Sequence, residues 1–169
     1  EMCIRDRYRK QELPNYEVFD EKRYFEPGNT SGIFEVNGSR VALSVCEDIW
    51  HEKAIKQAYD NKADLILNIN ASPFHLEKIN ERKQLISSQS AKYSLPIVYA
   101  NQVGGQDELV FDGTSMVMDS EGIQVMQLAK FDKDMKVVEF VSDDGSNLKA
   151  ANYEDLSLIH ISEPTRRKR

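Results

Sequence analysis

Three short apolar runs separated by two stretches of helical periodicity constrain this chain more than any other feature. Val41, Leu43 and Val45 alternate with small or polar residues, as in a strand buried on one face. Leu65-Ile66-Leu67 with Ile69, and Ile97-Val98-Tyr99-Ala100, are apolar runs of strand length. Between the first and second runs, Trp50, Ala54, Ile55, Ala58 and Tyr59 recur at helical spacing. Between the second and third, residues 76–94 place Ile79, Leu85, Ile86 and Ala91 on one side and stop before Pro96. Strand, helix, strand, helix, strand implies parallel neighbours, right-handed crossovers and helices packed on a sheet face. The fold class read from this order is α/β.

The flanks are antiparallel in character. Phe34-Glu35-Val36 and residues 41–45 bracket Asn37-Gly38, a strong hairpin signal, so Cys46 falls at the end of the hairpin's second strand. Beyond Asn101, Gly104-Gly105 reads as a loop into Phe111, and residues 115–118, 123–128 and 136–141 read as an antiparallel meander, which makes the fold α+β in part. Residues 142–155 read as a linker, acidic and glycine-containing at its start. A sheet with helices on one face leaves its other face apolar, so a second layer is expected against it.

With 169 residues, 40% of them hydrophobic, the chain has room for one domain with a core. A net charge of -6 disfavours a nucleic-acid surface, and no apolar run is long enough to cross a bilayer. Two distant cysteines exclude a disulfide scaffold and, with no signal peptide in view, suggest the cytoplasm. The two ends, residues 1–7 and 156–169, resemble translated orientations of a sequencing adapter; on that reading Cys3, His160 and the basic tail carry no fold information, and residues 8–141 form a domain whose N-terminal part is missing.

Cys46 has two local readings, a packed core thiol or a nucleophile, and the strand alone does not separate them. An ordinary thiol is only a few per cent thiolate at neutral pH, and Glu47 and Asp48 disfavour the anion, so a nucleophile here needs a cation from elsewhere. Lys10, at the start of the Leu13-Pro14-Asn15-Tyr16 loop, is a candidate, against the alternative of a solvated surface lysine.

Four blocks in order carry a resemblance: Lys10 with Leu13-Pro14-Asn15-Tyr16 and Tyr24-Phe25; Cys46-Glu47-Asp48-Ile49-Trp50; Asn70-Ala71-Ser72-Pro73-Phe74-His75; and Asn101-Gln102-Val103-Gly104-Gly105 through Phe111-Asp112-Gly113. They resemble the nitrilase superfamily, and within it the glutaminase domains of glutamine-dependent NAD synthetases. The resemblance implies a four-layer αββα sandwich and a Glu-Lys-Cys triad that hydrolyses the glutamine side-chain amide through a thioester. By motif, Cys46 would be the nucleophile, Lys10 the oxyanion-binding cation, the Glu47 amide a second oxyanion donor, and Glu21 a carboxylate set against Lys10. Glu47, Tyr16, Ser72 and Lys78 would hold the amino-acid end of the substrate, a carboxylate meeting its ammonium and a cation its carboxylate. His75 would shape a loop, His51 lie on the surface, and no metal would be held. The family's general-base Glu precedes the Lys block, so the chain as it stands is expected to lack it and to be inactive alone. Implied partners are glutamine, a C-terminal synthetase domain of the same chain using ATP and Mg, and further copies in a homo-oligomer. The alternatives are a free-standing nitrilase-type amidase or carbamoylase, and an inactive scaffold.

Overall fold

Asn37 and Gly38 both take left-handed backbone angles, φ 50° and 82°, the geometry a two-residue turn needs if its strands are to keep their twist. They join β1 (Gly32–Val36) to β2 (Ser39–Val45), antiparallel from Gly32 opposite Leu43 to Val36 opposite Ser39. This computed structural model describes residues 7–16 and 18–142, together with the backbone of 148–155. Apart from Arg7, the two ends read as adapter sequence lie outside the described residues, as does 143–147 of the linker.

From β2 the chain follows the expected alternation: α1 (Glu52–Asp60), β3 (Leu65–Asn70), α2 (Lys78–Tyr93) and β4 (Ile97–Asn101). β2, β3 and β4 are parallel, with Leu43, Leu67 and Val98 in register. β7 (Met116–Met118) adds antiparallel to β4, and β8 (Gln124–Gln127) antiparallel to β7. The six-stranded order is β1-β2-β3-β4-β7-β8. Both helices share one core with this sheet, built around Ile49, Ile55, Ile66, Ile86, Ile97 and Met118.

Several expectations are corrected. On β2 the expected apolar face holds in part: Val41 is buried and Leu43 and Val45 are half-buried, but Ala42 and Ser44 on the other face are more deeply buried, as are Ile66, Asn68, Ile97 and Tyr99, while Leu67 is half-buried and Ile69 is 56% exposed. Small residues on β2 let α1 and α2 approach the sheet. On α1, Ala54, Ile55 and Ala58 point inward, but Tyr59 is 49% exposed. α2 starts at Lys78, leaving Leu76 87% exposed; Ile86 is buried and Leu85 packs against the core as expected, but Ala91 is exposed and Arg82 and Ser90 are buried in addition. Ser94, in a left-handed conformation, ends the helix ahead of Pro96.

The region after β4 is not one meander. β5 (Val103–Gln106) and β6 (Leu109–Asp112) form a separate hairpin where a loop was expected; its two glycines carry no side chains from which alternation can be read. β9 (Lys136–Ser142) leaves the main sheet and pairs antiparallel with β10 (Leu148–Asp155), within the stretch read as a linker. Among the described residues no helix is long and apolar enough to cross a membrane.

Candidate active site

β2 ends at Val45, and the next residue turns the chain sharply. Cys46 has φ 48°, a left-handed angle that a non-glycine residue holds at a cost of about 1–2 kcal/mol. A 3₁₀ turn over Cys46–Trp50 follows and feeds α1. The arrangement lifts the thiol out of the ladder of parallel strands at their C-terminal ends, where open α/β sheets bind ligands.

Lys10 reaches the same place from an irregular segment. Leu13 and Gln11 are buried beneath it, and the Gly28 N–H donates to the Lys10 carbonyl at 2.8 Å. A Cβ on Gly28 would stand 2.2 Å from the Arg9 carbonyl oxygen, so the crossing of these two backbones requires glycine. Glu21 opens a short 3₁₀ turn, and both of its carboxylate oxygens accept from Lys10 Nζ at 2.7 Å. With only 14% and 24% of the two side chains exposed, this pair is largely shielded from water. A lysine so held has its Nζ fixed in place by the two carboxylate oxygens.

Lys10, Glu21, Val45, Cys46 and Ala71 line one cavity of about 700 Å³, together with the rings of Phe19 and Phe25. Burial pushes the Cys46 thiol above its ordinary pKa; Lys10 opposes this, Glu47 adds to it, and a backbone hydrogen bond from Ala71 opposes it in turn. The thiol is therefore held mainly protonated at neutral pH, and a nucleophile at this position needs a proton acceptor as well as its cation.

The remaining predicted site residues stand around the same turn but outside that cavity's lining. The Tyr16 hydroxyl donates to Glu47 Oε1 at 2.9 Å, and His51 Nε2 lies 3.5 Å from the same oxygen. Ser72 is buried, its N–H donating to Asn101 Oδ1 at 2.9 Å. Lys78 Nζ stands 4.3 Å from the centre of the Trp50 ring and 3.5 Å from Glu81 Oε2. The structure thus brings Cys46, Lys10 and Glu21 together, joins Tyr16 to Glu47, and sets Lys78 on Trp50 at the end of the Cys46 turn. His75 is exposed, 3.8 Å from Glu81, and shares no contact with the thiol among those described. No group of three His, Cys, Asp or Glu residues able to hold a metal gathers among the described residues.

Sequence reasoning missed four contributors. Ala71 acts through its backbone, and no side-chain chemistry marks it. Asn101 clamps the Ser72 turn, and its position in a quoted block was the available signal. Arg82 and Asp112 form a fully buried ion pair at 2.8 Å, and Arg82 Nη2 also donates to the carbonyls of Ser72 and Pro73 at 2.8 and 2.9 Å. Arg82 lies among charged residues on α2 and its type suggests solvent.

A family model described as carbon-nitrogen hydrolase matches residues 3–150. A glutamine-dependent NAD(+) synthetase from Acinetobacter baylyi is 41% identical over 133 residues, 79% of this chain but 25% of that protein. Among solved structures, a glutamine-dependent NAD+ synthetase from Acinetobacter baumannii in complex with ADP superposes with a TM-score of 0.78 at 42% identity, covering 86% of this chain and 27% of the other. A variant of the amidase from Nesterenkonia sp. AN1, with acrylamide added at its active-site cysteine, gives 0.61 at 26% identity, covering 72% and 46%. The chain spans about a quarter of the length of the curated relatives it matches.

Proposed function

The chain belongs to the carbon-nitrogen hydrolase family, and from that membership we propose that, as part of a longer protein that supplies the base, it hydrolyses the side-chain amide of glutamine through a thioester on Cys46. In the whole protein, the ammonia released would serve ATP-dependent amidation of deamido-NAD by a C-terminal synthetase domain. The single observation that carries the chemistry is Lys10, gripped by both Glu21 oxygens on the wall of the cavity that Cys46 lines.

Cys46 Sγ attacks the amide carbon, and the oxygen becomes an anion held by Lys10 Nζ and the Glu47 N–H. The thiol proton passes to a base and then to the leaving ammonia; water cleaves the thioester to give glutamate. Glu21 is already occupied by Lys10, and the base would be a Glu that the longer protein supplies from sequence before the Lys10 block, as the family resemblance implies. Glu47 with Tyr16 receives the substrate ammonium, and Ser72 with Lys78 its carboxylate. A lysine at that position acts as a point charge without the fork of an arginine. ATP and Mg belong to the synthetase domain, and no step at Cys46 uses them.

A second reading, an amidase acting on small aliphatic amides, draws on the similarity to the Nesterenkonia amidase. The two separate experimentally with a glutamine-mimicking diazoketone and with acrylamide as competing probes of Cys46. Glutamine hydrolysis requires that the diazoketone label Cys46 faster and that Glu47→Gln remove this preference while sparing acrylamide. Equal labelling by both probes, unchanged in Glu47→Gln, favours the small-amide reading, and labelling that bypasses Cys46 overturns both.

A further inference from the structure

Asp48 is a buried carboxylate to which the proposed chemistry gives no part. It lies two residues beyond the nucleophile, has no exposed surface, and each of its oxygens accepts two hydrogen bonds. Oδ1 accepts from the backbone N–H of Gln11 at 2.9 Å and of Glu12 at 2.8 Å. Oδ2 accepts from the Tyr8 hydroxyl at 2.7 Å and from the Val45 N–H at 2.9 Å. Three of the donors belong to the segment that carries Lys10, and the fourth belongs to the residue before Cys46.

We infer that Asp48 is a positioning residue whose carboxylate joins the Lys10 segment to the Cys46 turn and so sets where the ammonium stands relative to the thiol. The inference rests on the reading of Cys46 and Lys10 as the reacting pair. Residues 7–16 form neither helix nor strand, so the N–H groups of Gln11 and Glu12 have no ladder to bond to. A charged acceptor aimed at both is the strongest fixture such a segment can have. Gly28 holds the same segment from its other side through the Lys10 carbonyl. A carboxylate that served only to tighten the fold would have no reason to divide its bonds between the two segments bearing the thiol and the ammonium. The Tyr8 phenol, pushed well above its ordinary range by burial and by Asp48, stays a donor over the whole working range of the clamp.

The test is the pH profile of Cys46 alkylation by iodoacetamide in the 169-residue chain, read by peptide-resolved mass spectrometry so that Cys3 is counted apart. Four chains are compared: unsubstituted, Lys10→Met, Asp48→Asn, and the double variant. Asparagine keeps the size of Asp48 but turns one acceptor into a donor that faces N–H or O–H groups. Lys10→Met should raise the midpoint by about one pH unit, the least expected for losing a close opposite charge. Asp48→Asn should raise it too, and the double variant should match Lys10→Met alone. The sign is decisive, because removing a negative charge acting directly on the thiol lowers the midpoint, and general loosening raises the rate at every pH without an upward shift. A downward or absent shift in Asp48→Asn beside a shift in Lys10→Met overturns the role of Asp48 and leaves the reacting pair standing. No shift in Lys10→Met overturns the pair itself. Should Asp48→Asn give no cooperative melt, Tyr8→Phe removes one of the four bonds and is judged by the same criteria: a smaller upward shift supports the clamp and none overturns it.

Discussion

At φ 48°, Cys46 holds a conformation in which its Cβ crowds the following carbonyl, and the strain is relieved only by removing that Cβ. Cys46→Ala and Cys46→Gly both delete the thiol and should abolish alkylation at this position. They should differ in stability: the glycine variant is expected to be the more stable by about 1–2 kcal/mol, although glycine in ordinary backbone is the less stable choice. Equal denaturation midpoints would show that the turn stores no strain. A strand-end thiol was legible in the sequence from the alternation of Val41, Leu43 and Val45, and the pairing of Lys10 with Glu21 only through the family resemblance. The left-handed angle was not, because nothing in Cys-Glu-Asp announces it; nor was Ala71, which meets the thiol through a backbone N–H.

α2 carries its most consequential residue on its buried side. Arg82 is tied at once to Asp112, at the end of β6, and to the carbonyls of the Ser72 turn, so one guanidinium locks the helix, the small hairpin and a predicted substrate-binding loop together. Asp112 in turn accepts from Thr114 Oγ1 at 2.8 Å, which fixes the carboxylate's orientation. Asp112→Asn leaves a buried guanidinium without its counter-charge and should cost about 3–5 kcal/mol in chemical denaturation. A loss below about 1 kcal/mol would mean that the two carbonyls suffice to satisfy Arg82. Element order, both helices and the inward face of α1 were readable from periodicity, yet the polar residues on the buried side of α2 were not. The helical pattern on α2 runs through Ile79, Leu85, Ile86 and Ala91, and a buried ion pair cannot be recognised until its two halves, thirty residues apart, are seen to meet. The same limit applied to β5 and β6, whose pairing depends on contacts across the hairpin rather than on apolar alternation.

Across the whole molecule, parallel strands β2, β3 and β4 present Cys46, the Asn70-Ala71-Ser72 turn and Asn101 side by side at one edge, and the N-terminal segment closes over them with Lys10. The sequence order made this layout predictable once the strands were parallel; the deeper burial of the Ala42 and Ser44 face was not predictable, because those residues look less like core than Leu43 and Val45. Three acids in separate parts of this layout are shifted in the same direction. Burial raises the Cys46 thiol above 9.0, pushes the Tyr99 phenol from 10.0 up to about 12, and with Asp48 raises Tyr8 further still. For each group the folded state keeps a proton that the unfolded chain releases, so the unfolded state binds fewer protons and stability falls as pH rises through the gap. The loss should begin near pH 9 with the thiol, steepen above pH 10 as the phenols join, and leave the chain intact near neutrality. Tyr99 alone contributes about 2–3 kcal/mol of this loss by pH 12, two pH units at 1.36 kcal/mol each. Denaturant titrations at pH 8, 10 and 11 should therefore show a falling free energy of unfolding whose slope above pH 10 is visibly reduced in Tyr99→Phe. A slope unchanged by that substitution would mean that the phenol ionises in the folded chain as easily as in water, and that the β4 side of the core admits solvent.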